Sequence, residues 1–220
     1  MIGRGAARER RRMVERQLAR RDITDAAVLE AMATVPRELF VPPEHRHEAY
    51  ADRPLPIGHH QTISQPYIVA LMTQAARLTP GVSRVLEVGT GSGYHAAVLA
   101  RIARHVWTIE RIAALAEHAR ALFQQLGFAN ITSLVGDGAA GHPDAAPYDA
   151  ILTAAAAPRP PQALVDQLAV GGRLVLPVGG RALQELTVFE RTSDGVRADR
   201  AGAVRFVPLV SPEGFDDLDG

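Results

Sequence analysis

The sequence predicts an α/β domain built on a mostly parallel, seven-stranded sheet flanked by helices, with a helical extension ahead of it. Two observations carry that prediction. From Gly81 onward strand-like runs alternate with helical ones, a pattern that implies parallel pairing with helices on both faces. One of those strands, Arg84–Val88, ends in three glycines at alternate positions and leads straight into a helix, which brings helix N-terminal amides against a ligand. A length of 220 residues suffices for one such domain and little more.

Along the chain, Arg8–Arg20 reads as a helix with arginines set around Met13, Val14 and Leu18. Eight arginines precede residue 22, which would suit an RNA-binding arm. Interleaved Glu9 and Glu15 and a formal net charge of +0 favour a solvated helix covering the core. A second helix, Asp25–Val35, stops at Pro36, because the residue before a proline is pushed out of the helical region. Val41–Pro66 is rich in Pro, Gly and His and reads as an irregular segment; one this long in a compact domain is usually functional. From Pro66 to Leu78 the helical period returns, with Ile68, Leu71, Met72 and Ala75 on one face.

Strands are then predicted at Arg84–Val88, His105–Glu110, Ile131–Val135, Tyr148–Thr153 and Arg173–Val178. Helices at Tyr94–Ala103, Arg111–Leu126 and Pro161–Leu168 lie between them. The last β-rich runs, Leu183–Arg191 and Ala203–Val207, have no clear helix between them and predict an antiparallel edge. The expected organisation is a single domain: residues 1–80 as helical and substrate-loop segment, 81–210 as core, 211–220 as tail. The acidic, glycine-ended stretch Phe215–Gly220 is expected to fray.

Composition narrows the function. With 47% hydrophobic and 22% charged residues the chain is an ordinary globular protein, and zero net charge gives no global field toward nucleic acid or anionic membrane. The 24 basic residues are all arginine. No cysteine is present, which excludes a disulfide scaffold, a thiolate nucleophile and a Cys-type zinc site and fits a reducing compartment. No apolar run reaches the ~18 residues of a membrane helix. The arginine-rich start lacks the apolar region of a secretory signal, so a cytoplasmic location is expected.

The glycine loop narrows it further. Val85-Leu86-Glu87-Val88-Gly89-Thr90-Gly91-Ser92-Gly93-Tyr94 departs from the dinucleotide fingerprint, whose third glycine would fall at Tyr94. Glu87, two residues before the first glycine, suits a ligand with a cationic amine, such as the methionine part of S-adenosylmethionine; beside a pyrophosphate it would repel. Glu110 closes the next strand 23 residues on, near the ~20-residue interval at which an acid reaches a ribose. Asp137, in Gly136-Asp137-Gly138 after the third strand, can accept from an adenine amino group, although a plain turn explains it nearly as well. Three acids at three successive strand ends fit adenosylmethionine better than NAD.

Several further stretches resemble the protein-L-isoaspartate O-methyltransferases over essentially the whole chain. They are Val35-Pro36-Arg37-Glu38-Leu39-Phe40-Val41-Pro42, Pro54-Leu55-Pro56-Ile57-Gly58, Gln61-Thr62-Ile63-Ser64-Gln65-Pro66, Pro147-Tyr148-Asp149-Ala150-Ile151, Gly171-Gly172-Arg173-Leu174-Val175 and Val204-Arg205-Phe206-Val207-Pro208-Leu209. Thr62-Ile63-Ser64 and the run through Arg205–Pro208 are the more specific of these. The resemblance implies a class I, Rossmann-like S-adenosylmethionine-dependent methyltransferase that methylates the free α-carboxylate of L-isoaspartyl residues in damaged proteins and peptides, leaving S-adenosylhomocysteine. It implies Ser64 as the active-site serine and substrate contact, with backbone groups of Phe206, Val207 and Pro208 beside it. The cofactor would meet Thr62, Ile63, Glu87, Gly89, Thr90, Gly91, Ser92, Gly93, Glu110, Arg111, Asp137, Gly138 and Thr153. A monomer with no metal, nucleic-acid or membrane partner is expected.

One departure stands out: the family pattern has glycine before Gln61, and here His60 follows His59. Two loop histidines without an acidic or cysteine partner at suitable spacing read as solvated and not as metal ligands. Ser64 also reads as a turn or cap serine before Pro66. Competing functions are a methyltransferase acting on a biosynthetic peptide or small molecule, a non-catalytic adenosylmethionine sensor, and, more weakly, an NAD oxidoreductase. A substrate carboxylate is already ionised near pH 7, so the expected mechanism needs alignment and exclusion of water, with residues 52–66 closing as a lid, and no general base.

Overall fold

The structure is a computed structural model that describes residues 3–212, 214 and 215, so that most of the expected fraying tail lies outside the described residues. A helical layer comes first. α1 (Gly3–Met13) continues into a π-helical stretch, Val14–Leu18, and α2 (Ala26–Thr34) follows. Asp25 caps α2 by accepting from the Ala27 and Val28 amides, and Val35 turns extended ahead of Pro36. Met13, Leu18, Val28 and Met32 are buried. Arg8, Arg11, Arg12, Arg16 and Arg20 are exposed, as a solvated helix face requires. Arg10 turns inward, its Nε donating to the Ala33 carbonyl at 2.7 Å.

The segment expected to be irregular is more ordered than its composition suggests. A 3-10 stretch at Pro43–Glu48 precedes an antiparallel hairpin of β1 (Leu55–Gly58) and β2 (Gln61–Ile63). Strands of four and three residues carry too little alternation to be read, and Pro56 argues against one of them. The turn places His59 and His60 at φ 51° and 57°. Positive φ at both central residues matches the twist of a two-residue hairpin, a position usually signalled by Asn or Gly.

α3 (Pro66–Ala75) leads to the main sheet. Its elements are β3 (Arg84–Val88), α4 (Tyr94–Ala100), β4 (His105–Glu110), α5 (Ala113–Gln125), β5 (Ile131–Val135), β6 (Tyr148–Thr153), α6 (Gln162–Asp166), β7 (Leu168–Gly179), β8 (Gln184–Thr192) and β9 (Gly195–Val204). The strand order is β5-β4-β3-β6-β7-β8-β9. Pairing is parallel from β5 through β7 and antiparallel for β7–β8 and β8–β9, so the predicted antiparallel edge is present. Its last strand is a correction: it runs over Gly195–Val204, not Ala203–Val207. Residues 195–200 are exposed on both faces, so this edge strand has no hydrophobic period to detect, while the apolar run after it is mostly not strand. β7 also begins earlier than expected, at Leu168, at the expense of α6.

Central strands read as continuous apolar runs because both faces are covered. In β3, Val85 packs on one side with Leu99, Val106 and Leu152, whereas Leu86 and Val88 pack on the other with Ile109 and Ile151. Since β4 lies on one side of β3 and β6 on the other, chain order reverses beside β3. At such a reversal open α/β sheets bind ligands, in the crevice at the carboxyl ends of the strands, here β3 and β6. Among the described residues no helix is long and apolar enough to cross a membrane.

Candidate active site

The floor of the crevice is the glycine loop. Gly89, Gly91 and Gly93 all take positive φ, at 91°, 52° and 86°. Gly93 most needs to be glycine, since a Cβ there would stand 2.8 Å from the Phe123 ring in a left-handed backbone. Gly89 abuts Ala154 at the end of β6, closing the crevice across the switch point. Ser92 is buried and its Oγ accepts from the Tyr94 amide at 3.3 Å at the start of α4. The Thr90 hydroxyl does not face the crevice: it lies 2.6 Å from Thr108 Oγ1 in a buried chain.

That chain ends on Glu87. Thr108 donates to Glu87 Oε2 at 2.5 Å, so Thr90 is the donor to Thr108. Glu87 is wholly buried beneath the loop, and its Oε1 has no hydrogen-bond partner. Its neighbour is His95 Nδ1 at 3.8 Å. Thr73 Oγ1 donates to the Val69 carbonyl at 2.8 Å and therefore accepts from His95 Nε2, 3.0 Å away. This tautomer turns the bare Nδ1 toward Glu87. Burial pushes the Glu87 carboxyl up to about 8, with the Thr108 hydrogen bond opposing and the Glu110 charge assisting. Burial also lowers His95 to about 4, so it stays neutral.

Glu110, at the end of β4, is tied to the loop directly. Its Oε2 accepts from the Gly91 amide at 2.9 Å and its Oε1 from the Ile112 amide at 3.0 Å. Asp137, just past β5, is exposed; its Oδ1 accepts from Ala139 at 2.9 Å. Gly138 is packed so closely on Val88 that no side chain fits. Because β3, β4 and β5 are neighbours spaced about 4.8 Å apart, the three acids form a row roughly 10 Å long across the strand ends. Arg111 is exposed beside this row. The Thr153 hydroxyl is buried and donates to the Ala155 carbonyl at 3.0 Å, so it offers the crevice no free donor.

The β1–β2 hairpin forms the wall above. Ile57 Cδ1 comes within 3.5 Å of the Cβ position at Gly91, which puts the hairpin over the glycine loop. Thr62 is exposed, Ile63 buried and Ser64 half-buried where β2 gives way to α3. On the far side Val207 and Leu209 bracket Ala156: the Ala156 amide donates to Val207 at 2.8 Å and the Leu209 amide to Ala156 at 2.7 Å. The Phe206 amide donates to buried Gln184 at 2.8 Å. Ala154–Ala156 thus joins the glycine loop to the Phe206–Pro208 segment.

Sequence reasoning missed four side chains that organise this site: Arg37, Thr73, His95 and Thr108. Arg37 is fully buried and donates from Nη2 to the Ser64 carbonyl at 2.8 Å. Its sequence signal is its place, beside Glu38, in the family-like stretch Val35–Pro42. Among the described residues no group of three or more His, Asp or Glu is placed to hold a metal.

The family model described as Protein-L-isoaspartate(D-aspartate) O-methyltransferase matches residues 8–214. The protein-L-isoaspartate O-methyltransferase of Methanoregula boonei is 56% identical over 209 residues, 95% of this chain and 96% of its own length. Protein-L-isoaspartate O-methyltransferase 1 of Syntrophobacter fumaroxidans is 55% identical over 207 residues, 94% of this chain and 96% of its own. One solved protein-L-isoaspartate O-methyltransferase superimposes with TM-score 0.82 at 28% identity, covering 93% of this chain and 67% of that one. A Plasmodium falciparum structure described as a protein-L-isoaspartate O-methyltransferase in complex with S-adenosyl-L-homocysteine gives TM-score 0.78 at 28% identity, covering 91% and 98%.

Proposed function

We infer the reaction from the premise that this chain belongs to the protein-L-isoaspartate O-methyltransferase family. It transfers a methyl group from S-adenosylmethionine to the free α-carboxylate of L-isoaspartyl residues in proteins and peptides. The observation that carries this reading is the row Glu87, Glu110 and Asp137 at three neighbouring strand ends, roofed by the hairpin that bears Ser64.

The residues fit the cofactor. A buried, unpartnered carboxyl oxygen on Glu87 lies under the loop as an acceptor for the cationic amine of the methionine part, whose charge would favour the ionised form of Glu87. Glu110 keeps lone pairs for the ribose hydroxyls after accepting two amides, and Asp137 has a second oxygen for the adenine amino group. When bound, the cofactor supplies an electrophilic methyl on a sulfonium. Gly89–Gly93 bring backbone, without side chains, against it.

The protein's own task is alignment. A carboxylate nucleophile is ionised at pH 7, so no residue has to remove a proton. Ser64 is proposed to hold it by a single neutral hydrogen bond, which fixes direction without stabilising the charge enough to blunt attack. The peptide backbone would run past Phe206–Pro208. There Val207 and Leu209 already bond to Ala156, and alternation along an extended chain leaves the Pro208 carbonyl on the opposite edge. Ile57 over Gly91 suits the hairpin to exclude water as a lid. The same reading makes the enzyme a cytoplasmic monomer of one domain, which sedimentation at micromolar concentration tests for mass.

The deciding experiment offers labelled S-adenosylmethionine and two synthetic peptides that differ only in an isoaspartyl or aspartyl linkage. Methylation of the isoaspartyl peptide alone is expected. Methylation of neither, with S-adenosylhomocysteine still bound, would move the substrate elsewhere and leave the cofactor assignment standing. Ser64→Ala should lower kcat/KM for the peptide by about 10- to 100-fold, the range for one hydrogen bond to a charged group. Full activity in that variant would remove Ser64 from the mechanism.

A further inference from the structure

Arg37 is the one buried arginine among the described residues, at 0% exposure. Its Nε donates to the Ala49 carbonyl at 2.7 Å, Nη2 donates to the Ser64 carbonyl at 2.8 Å, and the guanidinium lies 4.8 Å from the centroid of the Tyr94 ring. Ala49 closes the 3-10 stretch, Ser64 leads from the hairpin into α3, and Tyr94 opens α4 directly behind Gly93. A single rigid fork therefore clamps three segments that meet at the site.

The arrangement is costly for the fold. Among the described residues no carboxylate pairs with Arg37; the adjacent Glu38 is engaged by Tyr50 and by Arg10 at 3.8 Å. Nη1 is buried with no hydrogen-bond partner, and burial lowers the guanidinium to about 10. An unpaired buried cation is destabilising, and an apolar side chain of similar volume would fill the space more favourably. What an apolar side chain could not do is hold the Ser64 carbonyl.

We propose that Arg37 is a positioning residue for methyl transfer: its bond to the Ser64 carbonyl sets the Ser64 peptide, and with it the hydroxyl, relative to the glycine loop through the Tyr94 contact. Serine has one side-chain torsion before its oxygen, so its peptide plane and one rotamer together place the hydroxyl. A planar guanidinium fixes two carbonyls at once in a set geometry, whereas an ammonium is a point charge on a flexible stem. The proposal rests on the role given to Ser64 above.

A double-mutant cycle tests it. kcat and KM for the isoaspartyl peptide are measured for the parent, Arg37→Met, Ser64→Ala and the double variant, with S-adenosylhomocysteine affinity and thermal melting as controls. With Ser64 present, Arg37→Met is expected to lower kcat/KM about 30-fold, mainly in kcat; in the Ser64→Ala background the same change should cost less than about 3-fold. S-adenosylhomocysteine affinity should stay within about 3-fold throughout. Equal losses in both backgrounds would make Arg37 merely structural and overturn the proposal, as would no loss with Ser64 present. If Ser64→Ala is itself fully active, the serine reading fails first and takes this inference with it. Should Arg37→Met not fold, Arg37→Lys enters the same cycle: a partial loss with Ser64 and none without it supports the role, and equal losses refute it.

Discussion

Replacing Glu87 by Gln should stabilise the cofactor-free protein at neutral pH while weakening its hold on the cofactor. Burial holds the Glu87 carboxyl at about 8 in the folded protein, against 4.5 ordinarily. Between those values the native state keeps a proton that the unfolded chain has lost. Stability from this group is therefore fully present below about pH 4.5 and falls as pH rises toward 8. At 1.36 kcal/mol per pH unit the loss reaches roughly 3 kcal/mol at pH 7 and roughly 5 above pH 8, upper bounds because the interior relaxes around the charge. His95 acts in the opposite sense: held at about 4 against an ordinary 6.5, it adds stability as pH rises from 4 to 6.5. The parent should consequently be nearly flat from pH 4.5 to 6.5 and lose about 2 kcal/mol from 6.5 to 8. Glu87→Gln keeps the volume and the Thr108 hydrogen bond but cannot ionise. Urea unfolding of both proteins from pH 4.5 to 8.5 should give curves that diverge with pH, the variant gaining up to about 3 kcal/mol by pH 7. Parallel curves would refute a dry, proton-retaining Glu87. In the same variant S-adenosylhomocysteine should bind about tenfold more weakly above pH 8, where the parent carboxylate is charged, because an ionic partner for the amine is gone.

Other substitutions test other parts of the site. Glu110→Ala strips partners from the Gly91 and Ile112 amides and removes the ribose acceptor, so S-adenosylhomocysteine should bind about 100-fold more weakly by calorimetry, with peptide KM little changed. Gly93→Ala forces a Cβ to 2.8 Å from Phe123 in a left-handed backbone; a loss of about 2–4 kcal/mol in urea and of cofactor binding is expected. His60→Gly relieves a side chain at φ 57° in the hairpin turn and should raise stability by up to about 1 kcal/mol, and an unchanged melting curve would mean the turn carries no strain.

Most of what was legible in the sequence is backbone-determined. The strand–glycine–helix turn, the row of strand-end acids and the parallel core follow from local pattern and from the rule that doubly covered strands read as apolar runs. Edge strand β9 is exposed on both faces and leaves no such pattern, and the three- and four-residue hairpin strands, although they alternate between buried and exposed residues, are too short for a period to be read. The deeper loss of information concerns side chains whose meaning comes from one distant neighbour. Glu87 was readable as a carboxylate at a ligand loop, but its charge state depends on Thr108, 21 residues on, and on the neutral His95 set by Thr73. Arg37 was visible only as one residue of a family motif, because its bond to the Ser64 carbonyl spans 27 residues and consists of a backbone acceptor that every residue type possesses. A carbonyl carries no signature in sequence. Residues that act by holding main chain in place are therefore the class that pattern reading passes over, and in this site they fix where both Ser64 and the glycine loop stand.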